Sequence, residues 1–151
     1  MMKARIMSKK EVKEFLKKLK ERFGFEDEMD EFVFVQTKNG KIKILNKQVL
    51  SLNLEGLRVE NVGLYFARWD GKEVRLSIEG SQIVGKKAKK NVLELSEDEA
   101  MEWMRGKNLE VGERSVEEGF VILKHKDDFL GCGRYKNGRI LSFVPKWRRI
   151  K

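Results

Sequence analysis

Three dipeptides that favour hairpin turns divide this sequence and constrain its fold more than any other feature. Asn39-Gly40, Asp70-Gly71 and Asn137-Gly138 each stand between two short apolar runs. Asn-Gly and Asp-Gly supply the positive φ angles that a tight connection between antiparallel strands requires. The sequence therefore predicts three β-hairpins, two in its first half and one close to its carboxyl end.

Two segments carry the start and stop signals of amphipathic helices. The first opens on Ser8 with Glu11 in capping-box spacing, and it stops at Gly24. Its apolar residues recur at helical intervals, at Val12, Phe15, Leu16, Leu19 and Phe23. The second helix begins after a Ser96 cap and stops at Gly106. Helices together with hairpins predict a protein of the α+β class.

The order of these elements indicates two lobes. Residues 1–85 begin with a helix, continue as an antiparallel sheet and end in "EGSQIVG", which is predicted as a short helix or a turn. "KKAKK", at residues 86–90, then places four lysines in five residues and marks the predicted boundary. Residues 86–151 combine several short strands with one helix. The second lobe is therefore expected to be a small, mostly β unit.

The balance of charge favours a polyanionic partner. The chain has 33 Lys and Arg against 24 Asp and Glu, a net charge of +9. Each phosphate that Lys or Arg neutralises releases condensed counterions and so gains affinity. The first helix has an outer face rich in lysine, which is typical of a solvated face.

The closing stretch, residues 129–151, has the most distinctive local charge. It contains seven basic residues and four aromatic residues but no carboxylate. Such a stretch can be a disordered tail, a folded hairpin with a charged face, or the docking surface of an RNA-binding module. Because Asn137-Gly138 predicts a hairpin within it, we exclude the disordered tail for most of this stretch.

Other features of the composition predict a cytoplasmic protein without a membrane partner. A single cysteine cannot form an intramolecular disulfide, and no apolar stretch approaches the roughly 20 residues that span a bilayer. The amino-terminal segment lacks the apolar core of a secretory signal. The charged fraction of 38% resembles that of hyperthermophile proteins, so we expect a thermophilic source.

Residues that commonly carry catalysis or bind metals are scarce. His125 is the single histidine, and Cys132, between two glycines, is expected to face a core. Together they cannot form a metal site of the usual Cys/His type. No dinucleotide or phosphate loop of the known spacings occurs. We therefore predict no enzyme activity, no metal and no cofactor, and a Cys132–His125 catalytic pair is much the weaker alternative.

Short glycine-based motifs near the carboxyl end are similar to those of a known family. They are Leu130-Gly131, Gly133-Arg134, Asn137-Gly138-Arg139 and Pro145-Lys146, after a helix that ends in glycine. This pattern resembles a PUA domain, and more narrowly the RNA-binding tail of Sun-type RNA cytosine-5 methyltransferases. The order of an α+β lobe before it resembles the Nip-seven ribosome-biogenesis family. The resemblance covers roughly residues 91–151, and the first lobe only loosely.

The resemblance implies an α+β lobe at residues 1–85 followed by a PUA-like, mostly β barrel at 86–151. It also implies a non-catalytic protein that recognises structured rRNA or tRNA in RNA modification or ribosome maturation. The related methyltransferases need a cysteine after Pro or Thr and a large cofactor-binding domain, whereas Cys132 follows Gly131 and this sequence has no such domain. The alternative is an adaptor that docks an acidic partner, such as an RNA-modifying enzyme or a ribosomal protein.

The predicted RNA-binding residues fall into two groups. The boundary contributes Lys86, Lys87, Lys89 and Lys90. The closing stretch contributes Arg134, Tyr135, Lys136, Arg139, Lys146, Trp147, Arg148 and Arg149. Guanidinium groups bind phosphate through two hydrogen bonds, and the rings of Tyr135 and Trp147 are expected to stack on unpaired bases.

Two glycines complete the predicted site, and the roles of two aromatic residues of the closing stretch, Phe143 and Trp147, have to be weighed. Gly131 and Gly133 allow close backbone approach, either to another strand or to a sugar–phosphate backbone. A competing interpretation places the side chains of Trp147 and Phe143 in the core. We expect this for Phe143, whereas Trp147 stays open between the core and the RNA surface.

Overall fold

The computed structural model describes residues 4–48 and 63–150, which form three α-helices and two five-stranded sheets. The helices are α1 (Lys9–Phe23), α2 (Ile78–Gly85) and α3 (Glu97–Met104). The first sheet has the order β1-β2-β3-β4-β5, with strands Ala4–Ile6, Phe32–Thr37, Lys41–Asn46, Leu64–Trp69 and Val74–Leu76. The second has the order β6-β8-β9-β10-β7, where β6 to β10 are Val92–Glu94, Leu109–Glu110, Gly119–His125, Asp128–Lys136 and Arg139–Leu141. Lys151, the last basic residue of the closing stretch, lies outside the described residues.

The helix ends follow the local sequence signals, and the predicted α+β class is confirmed. The Ser8 hydroxyl accepts a hydrogen bond from the Glu11 amide, and the Glu11 carboxylate accepts one from the Ser8 amide. Gly24 ends α1 in the left-handed conformation with φ 67°. Ser96 caps α3 with the same box. Within the described ranges, no helix is long and apolar enough to cross a membrane.

Helix α1 covers one face of the first sheet. Cross-strand pairing places Ile42, Ala67 and Leu76 in one row, and all three are buried with α1 in the same core. Phe15 of α1 lies at the centre, with its ring 6.0 Å from that of Phe66. Because side chains alternate along a strand, the next row of residues must face away from α1.

The second sheet is open, which corrects the expectation of a closed barrel. Strand β6 pairs in parallel with β8, and the other pairs of this sheet are antiparallel. Closure would need hydrogen bonds between the edge strands β6 and β7, which are only three and two residues long. The buried residue Trp103 of α3 fills the concave side of the sheet instead, with Val121 and Ile140.

The two sheets are packed against each other rather than separated by a linker. Ile122 and Cys132 of the second sheet belong to the same core as α1. Helix α2 lies between the sheets, and a Cβ added at Gly80 would be 2.1 Å from the carbonyl oxygen of Phe66. A Cβ at Gly85 would be 2.3 Å from the ring of Phe129. The division at residues 85 and 86 stays a prediction.

All three predicted turns connect antiparallel strands, but with different geometries. Asn137 and Gly138 both have positive φ angles, of 52° and 74°, as a two-residue hairpin turn requires. At Asn39-Gly40 only the glycine has a positive φ, of 85°, because the connection contains one more residue. Asp70-Gly71 opens a four-residue loop between β4 and β5.

Candidate nucleic-acid interface

Strands β9 and β10 form a hairpin, which we call the closing hairpin. Arg134 and Arg139 lie on it, beside its turn. The Arg134 Nη1 donates to the Glu73 Oε2 at 3.0 Å, and the Arg139 Nε lies 3.2 Å from the Glu110 Oε1. Both arginine side chains are about half exposed, at 40% and 56%. Exposed ion pairs of this kind contribute only about 0–1 kcal/mol. A phosphate can therefore displace either carboxylate at little cost.

Arg134 also begins a stack in which two aromatic rings lie between two arginines. Its Cζ lies 5.3 Å from the ring centroid of Phe120, which lies 5.8 Å from that of Phe143. The Cζ of Arg75 lies 4.4 Å from the same Phe143 ring. We call these four residues the Arg–aromatic ladder. It joins the closing stretch to strand β5 of the first sheet.

The position of Phe143 corrects the expectation that it is a core residue. Its side chain is 38% exposed. The strand β10 ends at Leu141, so Phe143 no longer follows the alternation of the sheet and lies at the junction of the lobes instead. Its ring contacts Arg75 and Phe120. It does not belong to the second core, the buried cluster around Trp103, Val121 and Ile140.

Tyr135 is a core residue, which corrects the expectation that it stacks on bases. It is only 5% exposed and belongs to the second core. Its hydroxyl donates to the Gly112 carbonyl at 2.9 Å and accepts from the Arg114 amide at 3.1 Å. On β9 it pairs with the buried Ile140, so the pleat directs both side chains inward. A base has no access to this ring.

Trp147 has the opposite environment. It lies in a short 3-10 turn, Lys146–Arg148, and is 79% exposed. The Arg148 Cζ is 5.3 Å from its ring centroid, and the Arg148 Nη1 donates to the Glu79 Oε1. The question that the sequence left open for Trp147 is thereby answered in favour of the surface.

Arg149 is exposed, and its side chain also contacts the backbone of the closing stretch and of α3's end. Its Nε donates to the Val144 carbonyl at 3.1 Å. Its side chain packs on Gly106, where an added Cβ would be 2.1 Å from the Arg149 Nε. The Ile150 amide donates to the Met104 carbonyl at 3.0 Å. Lys136 and Lys146 are likewise exposed, on the hairpin and on the 3-10 turn.

Most lysines of the predicted boundary cluster have carboxylate partners. The ion pairs are Lys87–Asp27 at 2.5 Å, Lys89–Glu26 at 3.2 Å and Lys90–Glu117 at 3.8 Å. The hydrogen bond from Lys87 holds the pKa of the Asp27 carboxyl below its ordinary value. Lys86 is exposed. Because these charges are largely compensated, a role of the cluster in RNA binding stays a prediction.

Gly131 and Gly133 allow close approach to the interior of the second lobe. A Cβ at Gly133 would be 2.5 Å from the Ile140 Cγ2 and 2.9 Å from the Trp103 Cη2. At Gly131 a Cβ would meet the Trp103 Nε1 at an ordinary contact distance of 3.5 Å, and the φ of 143° is what favours glycine there. Of the two predicted reasons for these glycines, the structure shows contact with a neighbouring strand and helix.

The single cysteine lies far from the environment of a nucleophile. Cys132 is buried, and burial raises the pKa of its thiol to about 12. It pairs with Ile122 across the hairpin, whereas His125 pairs with Asp128 at the other end. The His125 Nδ1 donates to the Leu95 carbonyl at 2.9 Å. Residues 4–48 and 63–150 contain no group of three His, Cys, Asp or Glu side chains that could hold a metal.

The family described as the methyltransferase RsmF PUA domain matches residues 90–150. The predicted resemblance to a PUA domain is confirmed over this part of the chain. Ribosomal RNA small subunit methyltransferase F of Aeromonas salmonicida (strain A449) is 29% identical over 90 residues, 60% of this chain and 19% of that protein. The protein of the same name from Aeromonas hydrophila subsp. hydrophila is 30% identical with the same coverage. The chain thus spans about a fifth of the length of these curated relatives.

The PUA-like part, residues 90–150, contains the whole closing hairpin and Trp147, but a second basic group lies outside it. Lys41, Arg68 and Arg75 belong to β3, β4 and β5 of the first sheet, and none of them was among the predicted site residues. Arg68 and Arg75 interrupt apolar strands and Lys41 begins one, which is a visible signal. Their proximity was not predictable, because it depends on the pairing register of three strands.

Proposed function

We propose that this protein binds structured rRNA or tRNA without catalysing a reaction on it, in the modification or maturation of that RNA. The observation that carries this proposal is the match of residues 90–150 to the PUA domain of an rRNA methyltransferase. The exposed basic residues of that domain support it, because their neighbours are weakly held carboxylates that phosphate can replace.

The binding surface we propose is the closing hairpin with the 3-10 turn that follows it. Arg134 and Arg139 offer guanidinium groups that can take two phosphate oxygens each. Lys136 and Lys146 add exposed positive charge at the two ends of this surface. Trp147 adds a ring on which an unpaired base can stack.

The absence of catalysis is the second part of the proposal. We expect the purified chain to transfer no methyl group from S-adenosylmethionine to rRNA or tRNA. The reason is that a buried thiol with a pKa of about 12 is not a thiolate at neutral pH and cannot attack a base. Incorporation of radiolabelled methyl groups measures this. Methylation that disappears in Cys132→Ala would contradict the proposal.

An adaptor function is the competing proposal, and one observation favours it. Arg134 and Arg139 already bind carboxylates within the chain, so the same surface can take acidic side chains of an RNA-modifying enzyme or a ribosomal protein. The two functions differ in their ligand. RNA is a continuous polyanion, and its binding releases counterions along its whole contact.

We expect tight binding to a structured RNA, with log K falling linearly against log salt, and much weaker binding to polyglutamate of equal charge. The linear fall arises from released counterions and measures the number of phosphate contacts. Fluorescence anisotropy with both labelled probes gives the comparison. Equal affinity for polyglutamate and RNA would favour the adaptor, and absence of RNA binding would refute the proposed function.

A further inference from the structure

Three basic residues form a row across the first sheet, on the face that α1 leaves uncovered. Lys41 pairs directly with Arg68, and Arg68 pairs directly with Arg75. Directly paired residues of neighbouring strands point to the same face. Since strands lie about 4.8 Å apart, the row extends about 10 Å across the sheet.

This basic row has no carboxylate partner among the described residues. No ion pair involves Lys41, Arg68 or Arg75 in residues 4–48 and 63–150. The buried Arg68 Nε has no hydrogen-bond partner there either. Like charges placed directly opposite each other across strands destabilise a sheet. The row is therefore a cost to folding that an external anion would remove.

Aromatic rings hold two of these cations in place. The Lys41 Nζ lies 5.2 Å from the ring centroid of Tyr65, and the Arg75 Cζ lies 4.4 Å from that of Phe143. A ring face attracts a cation but does not neutralise its charge. The cations are thus positioned and remain able to pair with an anion.

The basic row lines one wall of a cleft between the two lobes. The cleft has a volume of about 500 Å³, and its other wall includes Phe143 and the exposed Trp147 of the PUA domain. Among the described residues that line it there is one carboxylate, Glu79, and that group already pairs with Arg148. The cleft therefore combines uncompensated positive charge with an exposed aromatic ring.

We propose that this cleft binds a single-stranded segment of RNA, with phosphates on the basic row and an unpaired base on Trp147. An extended polyanion can contact all three cations, whereas a single carboxylate cannot span about 10 Å. Only an unpaired base presents a free face for stacking on the indole. This inference rests on the proposed function and adds the first lobe to the RNA surface.

The first test removes charge from the row and leaves the ladder intact. Lys41→Gln with Arg68→Gln keeps Arg75 on Phe143. Binding of a single-stranded oligonucleotide of about ten nucleotides should weaken on the order of tenfold at about 0.15 M salt, and its log–log salt slope should flatten by about 1.4. Because two of three neighbouring like charges are gone, thermal stability should stay equal or rise. The control is Lys9→Gln with Lys13→Gln, two exposed lysines of α1.

The second test follows Trp147 itself. The other two tryptophans, Trp69 and Trp103, are buried at 8% and 1% exposure, so quenching by added RNA reports on Trp147. Single-stranded RNA should quench the emission, and blunt duplex RNA should not. Trp147→Ala should weaken single-strand binding about 5- to 150-fold, while Trp147→Phe retains most of it.

The outcomes separate this inference from the proposed function. If the wild-type protein binds no RNA, both fail. If the protein instead binds RNA with a linear salt dependence while the Lys41→Gln, Arg68→Gln variant and its α1 control have equal RNA affinity, the single strand does not pass through the cleft. Unchanged Trp147 emission with single-stranded RNA at saturation would overturn the inference in the same way. A greater loss of RNA affinity in the Lys41→Gln, Arg68→Gln variant than in its control, together with quenching of Trp147 emission, establishes the inference.

Discussion

Replacing Arg134, Lys136, Arg139 and Lys146 with glutamine should lower RNA affinity on the order of 100-fold at about 0.15 M salt. Each lost phosphate contact to a single strand flattens the log–log salt slope by about 0.7, so four contacts flatten it by about 2.8. None of these four side chains bonds to the backbone in the structure, so the fold should be unaffected. Anisotropy titrations at several salt concentrations measure both quantities.

The control for this variant lowers the net charge equally at another place. Lys9, Lys10, Lys13 and Lys17 are exposed on α1, and changing them to glutamine takes the net charge from +9 to +5, as in the first variant. If position matters, the control should keep most of the affinity. Equal losses in the two variants would mean that net charge attracts the RNA and that the closing hairpin is not its site.

Gly80→Ala should lower the free energy of unfolding by about 3 kcal/mol, because overfilling a packed interior costs about 1–3 kcal/mol or more. The new Cβ would be 2.1 Å from the Phe66 carbonyl oxygen. That oxygen cannot move away freely, since it accepts hydrogen bonds from the Ser77 amide at 2.9 Å and the Ser77 hydroxyl at 3.0 Å. Urea unfolding measures the change.

The matched control lies on the same helix. Gln82 is exposed on α2, so Gln82→Ala should change the free energy of unfolding by less than about 0.5 kcal/mol. If Gly80→Ala also proves neutral, then α2 does not pack against β4 at the described distance. The result matters for function, because α2 carries Glu79, which holds Arg148 beside Trp147.

Signals confined to a few neighbouring residues were sufficient to predict the helices and most strands of this protein, but not the short edge strands β1 and β7. The capping box of Ser8 and Glu11 and the stop at Gly24 place both ends of α1, because these contacts span at most four residues. Asn137-Gly138 likewise predicts its hairpin, since the positive φ angles are properties of the turn itself. The glycine motifs of residues 129–146 were enough to indicate the resemblance to a PUA domain that the family comparison shows over residues 90–150.

The roles of individual side chains were decided only by tertiary structure. Tyr135 and Trp147 have the same kind of sequence environment, yet one is buried and the other is 79% exposed. The difference arises because Tyr135 lies on the inner face of β9, whereas Trp147 lies beyond the last strand. Which face of a strand is inner depends on the residues that pack against it, and these come from distant parts of the chain.

The basic row shows most clearly that local sequence does not indicate which side chains come together. Lys41, Arg68 and Arg75 are separated by loops, and nothing local to any of them indicates that they are paired. Register joins them, and register is set by burial of the apolar residues Ile42, Ala67 and Leu76 on the opposite face. The sequence alone thus determined the helices, most strands, the turns and the PUA-like motifs. Only the packing of the two sheets brought the three cations and Trp147 to one cleft, because long-range contacts decide which faces meet.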